Sequence, residues 1–385
     1  MIIPDIETIG IINALSKSNV NFAFYRLPWT DACYLLLQKD GDIEELSSLS
    51  ELDGRKGFVM SPFISDDNKK ILLIRPDILA FDWDEISSNL RTLYKKSLPE
   101  VNRTEDKIEN KSFISEIEDR AKKEYESCFE KFHNSIDKNK FTKLVLSRTI
   151  NEKIPENFSP FEAFVNACNN YPRMFIYLCH TTKSGTWIGS TPEIILSGHT
   201  EGWHTVALAG TMTVHDNIIP TDWSKKNIDE QKYVADYIRQ TIKKIDILGN
   251  IDEKGPYAAR AGHLVHRKTD FFFHLKDNNS LGRVLDKLHP TPAICGVPME
   301  EAREFIVANE GYDRSYYSGI VGLLDADNGT ELYVNLRCMQ IGSEYARLYA
   351  GGGILSSSEV DEEWEETERK LATMRKILNE NYNKQ

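Results

Sequence analysis

Several residues in this chain are of types that could do chemistry, and their neighbours suggest which. Lys143 sits in Phe141-Thr142-Lys143-Leu144-Val145-Leu146-Ser147-Arg148, a run that reads as a strand. Alternation puts Lys143, Val145 and Ser147 on one face and Leu144, Leu146 and Arg148 on the other. Such a lysine either snorkels from an edge strand or is a desolvated amine able to act as a general base. Glu193 follows Pro192 in Gly189-Ser190-Thr191-Pro192-Glu193 and precedes Ile194-Ile195-Leu196. It is either an exposed turn residue or a carboxyl held protonated by apolar surroundings, fit to be a general acid.

The acidic run Asp361-Glu362-Glu363-Trp364-Glu365-Glu366 opens a C-terminal helical pattern. Glu363, Glu366 and Lys370 share one helical face. The run either complements the helix dipole or offers two carboxylates one turn apart to a hard cation such as Mg²⁺. A cation would need further oxygen ligands, for which Glu230 is the candidate. Ala350-Gly351-Gly352-Gly353 follows a strand. It reads as a tight turn, or as a place where a ligand carboxylate approaches backbone N–H groups. Arg337, in the strand pattern Val334–Cys338, is either a structural ion-pair partner or a bidentate carboxylate clamp.

The elements that must position these groups are legible in outline. Strand patterns recur at Met174–His180, Thr186–Gly189, Glu193–Ser197, Thr205–Ala209 and His263–Leu275, then at Tyr316–Leu324, Thr330–Ile341 and Tyr345–Tyr349. Helical periodicity covers Ser112–Ile136, Asp229–Asp246, Leu281–Leu288, Met299–Asn309 and Val360–Asn381. Strands in runs with helices between them predict an α+β fold rather than a parallel βαβ one. The polar stretch Leu98–Lys111 is the best linker candidate. It divides an N-terminal portion, residues 1–110, from a catalytic region, residues 111–385.

With 47 basic and 59 acidic residues among 385, the net charge is −12. That excludes a broad nucleic-acid footprint but allows a local basic pocket for a small anion. The six cysteines show no zinc spacing and read as buried thiols. No signal peptide or membrane span is visible, so a cytoplasmic protein is expected. Neither a GxGxxG nor a P-loop pattern occurs.

Taken in order, the motifs resemble those of the chorismate-utilising enzymes. The stretches are Lys143–Arg148, Gly189–Glu193, Ala209-Gly210-Thr211, Leu288–Gly296, Tyr312–Gly322, Val334–Cys338, Ala350–Ile354 and Glu363–Lys370. They span about 60% of the chain, from Lys143 to Lys370. Amine-adding members resemble one another in lacking a lysine at the position of Lys143. Ala209 stands where aminodeoxychorismate synthases often have lysine, and Ala293 where anthranilate and salicylate synthases tend to have threonine. Within the family the pattern is therefore most similar to the isochorismate synthases. The alternatives are a salicylate synthase, or a non-catalytic homologue that only binds chorismate.

The resemblance implies a single large α+β domain of stacked antiparallel sheets with helices outside and a deep cleft, commonly monomeric. It implies Mg²⁺ held by Glu230, Glu363 and Glu366, with chorismate as the substrate. Lys143 would take a proton from water attacking C2, and Glu193 would protonate the departing C4 hydroxyl. Gly210, Thr211, His263, Ala293, Tyr317, Arg337, Gly351, Gly352, Gly353 and Lys370 would line the substrate site. A Glu-His pair common in the family is Glu230-Gln231 here.

Overall fold

A computed structural model describes residues 4–95, 118–214, 222–261 and 264–380. The linker candidate, the start of the Ser112–Ile136 helix and His263 lie outside the described residues.

Two nine-stranded sheets form the frame. The first runs Gly296–Val297, Lys143–Lys153, Tyr345–Ile354, Cys338–Ile341, Gly185–Thr191, Phe175–Thr181, Asn21–Arg26, Tyr34–Gln38, Ile78–Phe81. The second runs Ile247–Ala261, Leu264–Leu275, Gly202–Thr213, Ile194–His199, Thr330–Val334, Ile320–Leu324, Gly57–Ser61, Ile71–Ile74, Glu44–Leu46. Neighbouring strands pair antiparallel throughout, for example Gly353 opposite Val145 and Thr211 opposite His266. The N-terminal strands contribute to both sheets.

The sheets face each other across an aromatic layer. Tyr25, Phe175, Tyr177, Trp187 and Tyr349 come from the first sheet, and Phe58 and Tyr333 from the second. Phe175 stacks on Tyr333 with ring centroids 4.3 Å apart, joining the two sheets. Each such ring buries roughly 150–250 Å², worth about 4–6 kcal/mol of transfer free energy before ordering costs. The outer face of the first sheet is covered by the helices Ile6–Leu15, Asp82–Leu93 and Pro160–Asn170 and by part of Val360–Asn379. The outer face of the second is covered by Lys225–Ile242, Leu281–Leu288 and Met299–Asn309, with Glu118–Asp137 packing into the same core. This is the expected α+β arrangement of stacked antiparallel sheets flanked by helices.

Several expectations are corrected. The pattern Thr330–Ile341 is not one strand. It breaks after Val334, resumes at Cys338, and the two halves belong to different sheets. Arg337, with a φ of 46°, is therefore in the crossover rather than in a strand. The glycines Gly351–Gly353 form no turn but continue the strand Tyr345–Ile354. The Tyr316 strand starts only at Ile320, because Tyr316–Gly319 turns, with Ser318 at a φ of 62°. A 15-residue strand, Ile247–Ala261, has no counterpart in the sequence reading.

Candidate active site

Two of the crossovers between the sheets lie side by side. Gly185–Thr191 in the first sheet passes through Pro192-Glu193 into Ile194–His199 in the second. Thr330–Val334 in the second returns through Asn335-Leu336-Arg337 to the first. They are tied by Ser190 N–H to Arg337 O (3.0 Å), Val334 N–H to Glu193 O (2.8 Å) and Thr191 Oγ1–H to Val334 O (2.6 Å). Sequence-distant Glu193 and Arg337 are thereby fixed on one wall of a cleft. The cleft is also lined by Gly210, Thr211, Glu230, His266, Ala293, Tyr317, Gly351–Gly353 and Lys370.

Glu193 is buried, 3% exposed. Burial pushes its carboxyl up to about 8, against the pull of Lys143 and Lys370. It is thus protonated at neutral pH and able to donate. The exposed-turn alternative is excluded.

Lys143 does not snorkel, since its side chain is fully buried. Its amine lies 3.0 Å from Glu230 Oε1, and Glu230 Oε2 accepts the Gly210 N–H at 3.2 Å. Glu230 and Gly353, both in the cleft lining, stand beside the Lys143 side chain. A Cβ at Gly353 would lie 2.2 Å from Glu230 Oε1 and 2.9 Å from Lys143 Cε. A side chain there would push the Glu230 and Lys143 side chains from their positions, so glycine at this position lets both approach the strand. Gly353→Ala is expected to reduce turnover at least about 100-fold while the fold survives, since displaced catalytic groups commonly cost that much. Steady-state kinetics with a circular dichroism melt would check it; near-normal turnover would show that the Lys143–Glu230 contact is dispensable. Gly210, at a φ of +72°, bulges its strand, and a Cβ there would lie 2.7 Å from Asn227 O.

The strand Tyr345–Ile354 pairs with Lys143–Lys153 along its whole length. On its other edge, Cys338–Ile341 accompanies it only as far as Leu348. Beyond that point the Gly351–Gly353 backbone lines the cleft. Tyr317 stacks on Tyr349 at 5.3 Å, and its hydroxyl approaches Gly351.

The helix Val360–Asn379 brings Glu363, Glu366 and Lys370 together as its spacing predicts. Lys370 Nζ bonds Glu366 Oε1 at 2.7 Å and Gly351 O at 2.8 Å. Glu363 pairs with Lys226, a residue the sequence reading missed. Lys226 is in the first turn of Lys225–Ile242, where a cation opposes the helix dipole. The sequence pattern starts this helix at Asp229, which leaves Lys226 outside it; the Ser224 cap sets the start four residues earlier. Burial works against the Lys226 ammonium, but Glu363 and Glu366 outweigh it and hold the group at about 12. Burial, then Glu366, raise Glu363 to about 7.

These carboxylates suit a hard divalent cation in part. Oxygens of Glu363 and Glu366 both approach Gly352, at 3.3 and 3.5 Å from where a Cβ would stand. Glu363 Oε2 is buried and accepts no hydrogen bond. A second carboxylate beside such an oxygen is the chemistry a cation satisfies. Glu230 is engaged with Lys143, and among the described residues no three acidic, histidine or cysteine groups converge closely enough to hold a metal.

The chorismate binding enzyme family model matches residues 63–379. The chain belongs to that family. It is 27% identical over 251 residues to the isochorismate synthase DhbC of Bacillus subtilis (strain 168), covering 62% of this chain and 63% of that protein. It is 27% identical over 249 residues to the isochorismate synthase MenF of Haemophilus influenzae, covering 62% of this chain and 56% of that one. The chain thus spans roughly 60% of the length of these curated relatives. Its fold matches a crystal structure described as a putative 2,3-dihydroxybenzoate-specific isochorismate synthase, DhbC, from Bacillus anthracis. The TM-score is 0.74 at 21% identity, over 97% of this chain and 99% of that one. No helix among the described residues is long and apolar enough to cross a membrane.

Proposed function

We propose that this chorismate-binding family member is an isochorismate synthase. It would convert chorismate to isochorismate by water attack at C2 with loss of the C4 hydroxyl, a net isomerisation. The observation that carries this reading is the pairing of a buried acid, Glu193, with a buried amine, Lys143, at one cleft. An amine-adding enzyme needs no base for water, so a fully buried lysine beside the cleft favours water addition. Ala293 in the lining, in place of a threonine, favours release of isochorismate over the salicylate synthase reading.

Chorismate is a dianion. Arg337, the Gly351–Gly353 backbone and the Tyr317 hydroxyl would take one carboxylate. Mg²⁺, when bound by Glu363 and Glu366, would neutralise the other carboxylate. Glu193 delivers its proton to the C4 hydroxyl as that C–O bond breaks. Lys143 takes a proton from the attacking water. Because the Lys143 side chain is fully buried beside Glu230, water would reach the amine only if this pair moved apart. Every group named belongs to one chain, so a monomer suffices.

Incubating the protein with chorismate and resolving products by chromatography and mass tests the proposal. A product isobaric with chorismate, formed only with Mg²⁺, supports it. Salicylate plus pyruvate would move the protein to the salicylate branch. No conversion with any nucleophile would favour the non-catalytic homologue. Glu366→Gln is expected to raise the Mg²⁺ concentration for half-maximal rate at least about tenfold, since a carboxylate ligand is lost. An unchanged Mg²⁺ titration would remove Glu366 from the metal site.

A further inference from the structure

The Arg337 guanidinium does not reach the cleft alone. Its Nη2 lies 2.7 Å from His266 Nε2, and His266 Nδ1 lies 3.1 Å from Thr211 Oγ1. His266 is buried, 6% exposed, on Leu264–Leu275 directly opposite Thr211. That register depends on the bulge at Gly210, which shifts Gly202–Thr213 between Ala209 and Thr211. Thr211, His266 and Arg337 all line the cleft.

The chemistry of the partners fixes the protons. A guanidinium has only donors to offer. The imidazole nitrogen facing it must therefore accept, so Nε2 carries no hydrogen and Nδ1 carries one. Nδ1–H then donates to Thr211 Oγ1. With its oxygen receiving that bond, the threonine hydroxyl keeps its own proton for a different acceptor. The chain is polarised in one direction, from Arg337 through His266 to Thr211.

We infer that His266 is a positioning residue, locked as its Nδ1–H tautomer, that sets Arg337 and Thr211 as paired donors for one carboxylate of the substrate. The identity of that substrate rests on the chorismate reading above; the tautomer does not. The contact also braces Arg337, whose φ of 46° is costly for a residue with a Cβ. An apolar residue at position 266 would leave the guanidinium without this acceptor and free the Thr211 hydroxyl to turn away from the cleft. The loss would fall on substrate binding, because His266 acts through Arg337 and Thr211.

Two measurements on the full chain test this. The first is nitrogen NMR of the ¹⁵N-histidine-labelled protein at neutral pH, with His266 assigned by its loss in His266→Gln. The expected spectrum shows Nδ1 protonated and Nε2 bare; an Nε2–H tautomer or an imidazolium overturns the inference. The second compares chorismate kinetics of His266→Phe and His266→Gln. The phenylalanine variant is expected to raise KM on the order of tenfold, the scale of one lost charge-assisted hydrogen bond, with kcat within about threefold. Glutamine, with one acceptor and one donor group, should recover most of that loss. If the phenylalanine variant fails to fold, His266→Asn, too short to reach both partners, takes its place. Equal defects in the two variants, or a loss confined to kcat, would contradict the positioning role. If the wild type neither binds nor converts chorismate, the functional reading fails, and the tautomer still decides the inference.

Discussion

For the proposed isochorismate synthase, replacing Lys143 with methionine is expected to abolish the formation of isochorismate while leaving chorismate bound. Methionine fills nearly the same volume but can neither accept nor hold a proton. General base catalysis is worth about 10²–10⁴ in rate, and the expected fall in kcat lies at the upper end of that range because the other lysine of the cleft, Lys370, is held by Glu366 and Gly351. The substitution also strands Glu230, which loses a cation 3.0 Å away. Leaving one member of a buried pair uncompensated costs about 3–5 kcal/mol, so the single variant should melt well below wild type. The double variant Lys143→Met/Glu230→Gln separates the effects. It should regain most of the melting temperature and none of the activity. Activity in either variant near the wild-type rate would show that Lys143 is not the base.

Glu193→Gln is the second large effect. Glutamine keeps the size and polarity of the protonated acid but cannot deliver a proton to the leaving hydroxyl. The expected loss is again about 10²–10⁴ in kcat with KM nearly unchanged, because the interaction is made in the transition state. The pH dependence follows from the raised carboxyl. With a folded-state value of about 8, wild-type kcat should fall as pH rises through 8, when the acid loses its proton. The same shift governs stability. The unfolded chain releases this proton near 4.5 and the folded one near 8. The contribution to stability is therefore full below 4.5 and is lost progressively as pH rises to 8. Glu193→Gln lacks that loss. Relative to wild type it should become more stable with rising pH across this window while remaining inactive. Parallel melting curves would mean that Glu193 is not buried as an acid.

Both residues were visible in the sequence because each sits in a short motif and the motifs occur in order. The acidic helix was legible for a simpler reason: Glu363, Glu366 and Lys370 recur at helical spacing, and spacing survives folding. What the sequence did not show depends on register and crossover. The pattern Thr330–Ile341 is continuously strand-like, with no glycine or proline at the break, so nothing local announces that Arg337 carries the chain from one sheet to the other. The strand Ile247–Ala261 contains Asp252-Glu253-Lys254-Gly255-Pro256, which reads as a loop. Pairing with Leu264–Leu275 imposes the strand against that local preference. His266 was missed because its role depends on facing Thr211 across a bulge, and a bulge shifts register without changing composition. In sequence the three glycines read as a turn or as a carboxylate site rather than as a strand, because glycine weakens strands. Here Gly353 is kept by its crowding against Glu230 and Lys143.

The measurement that tests the central claim most directly is product analysis in H₂¹⁸O with chorismate and Mg²⁺. If Lys143 activates water and Glu193 expels the C4 hydroxyl, the isochorismate formed must carry one solvent oxygen and be two mass units heavier. The label should vanish together with the product in Lys143→Met. Unlabelled isochorismate would mean that the hydroxyl migrates within the substrate. The site would then not be the water-adding one its buried acid and amine describe.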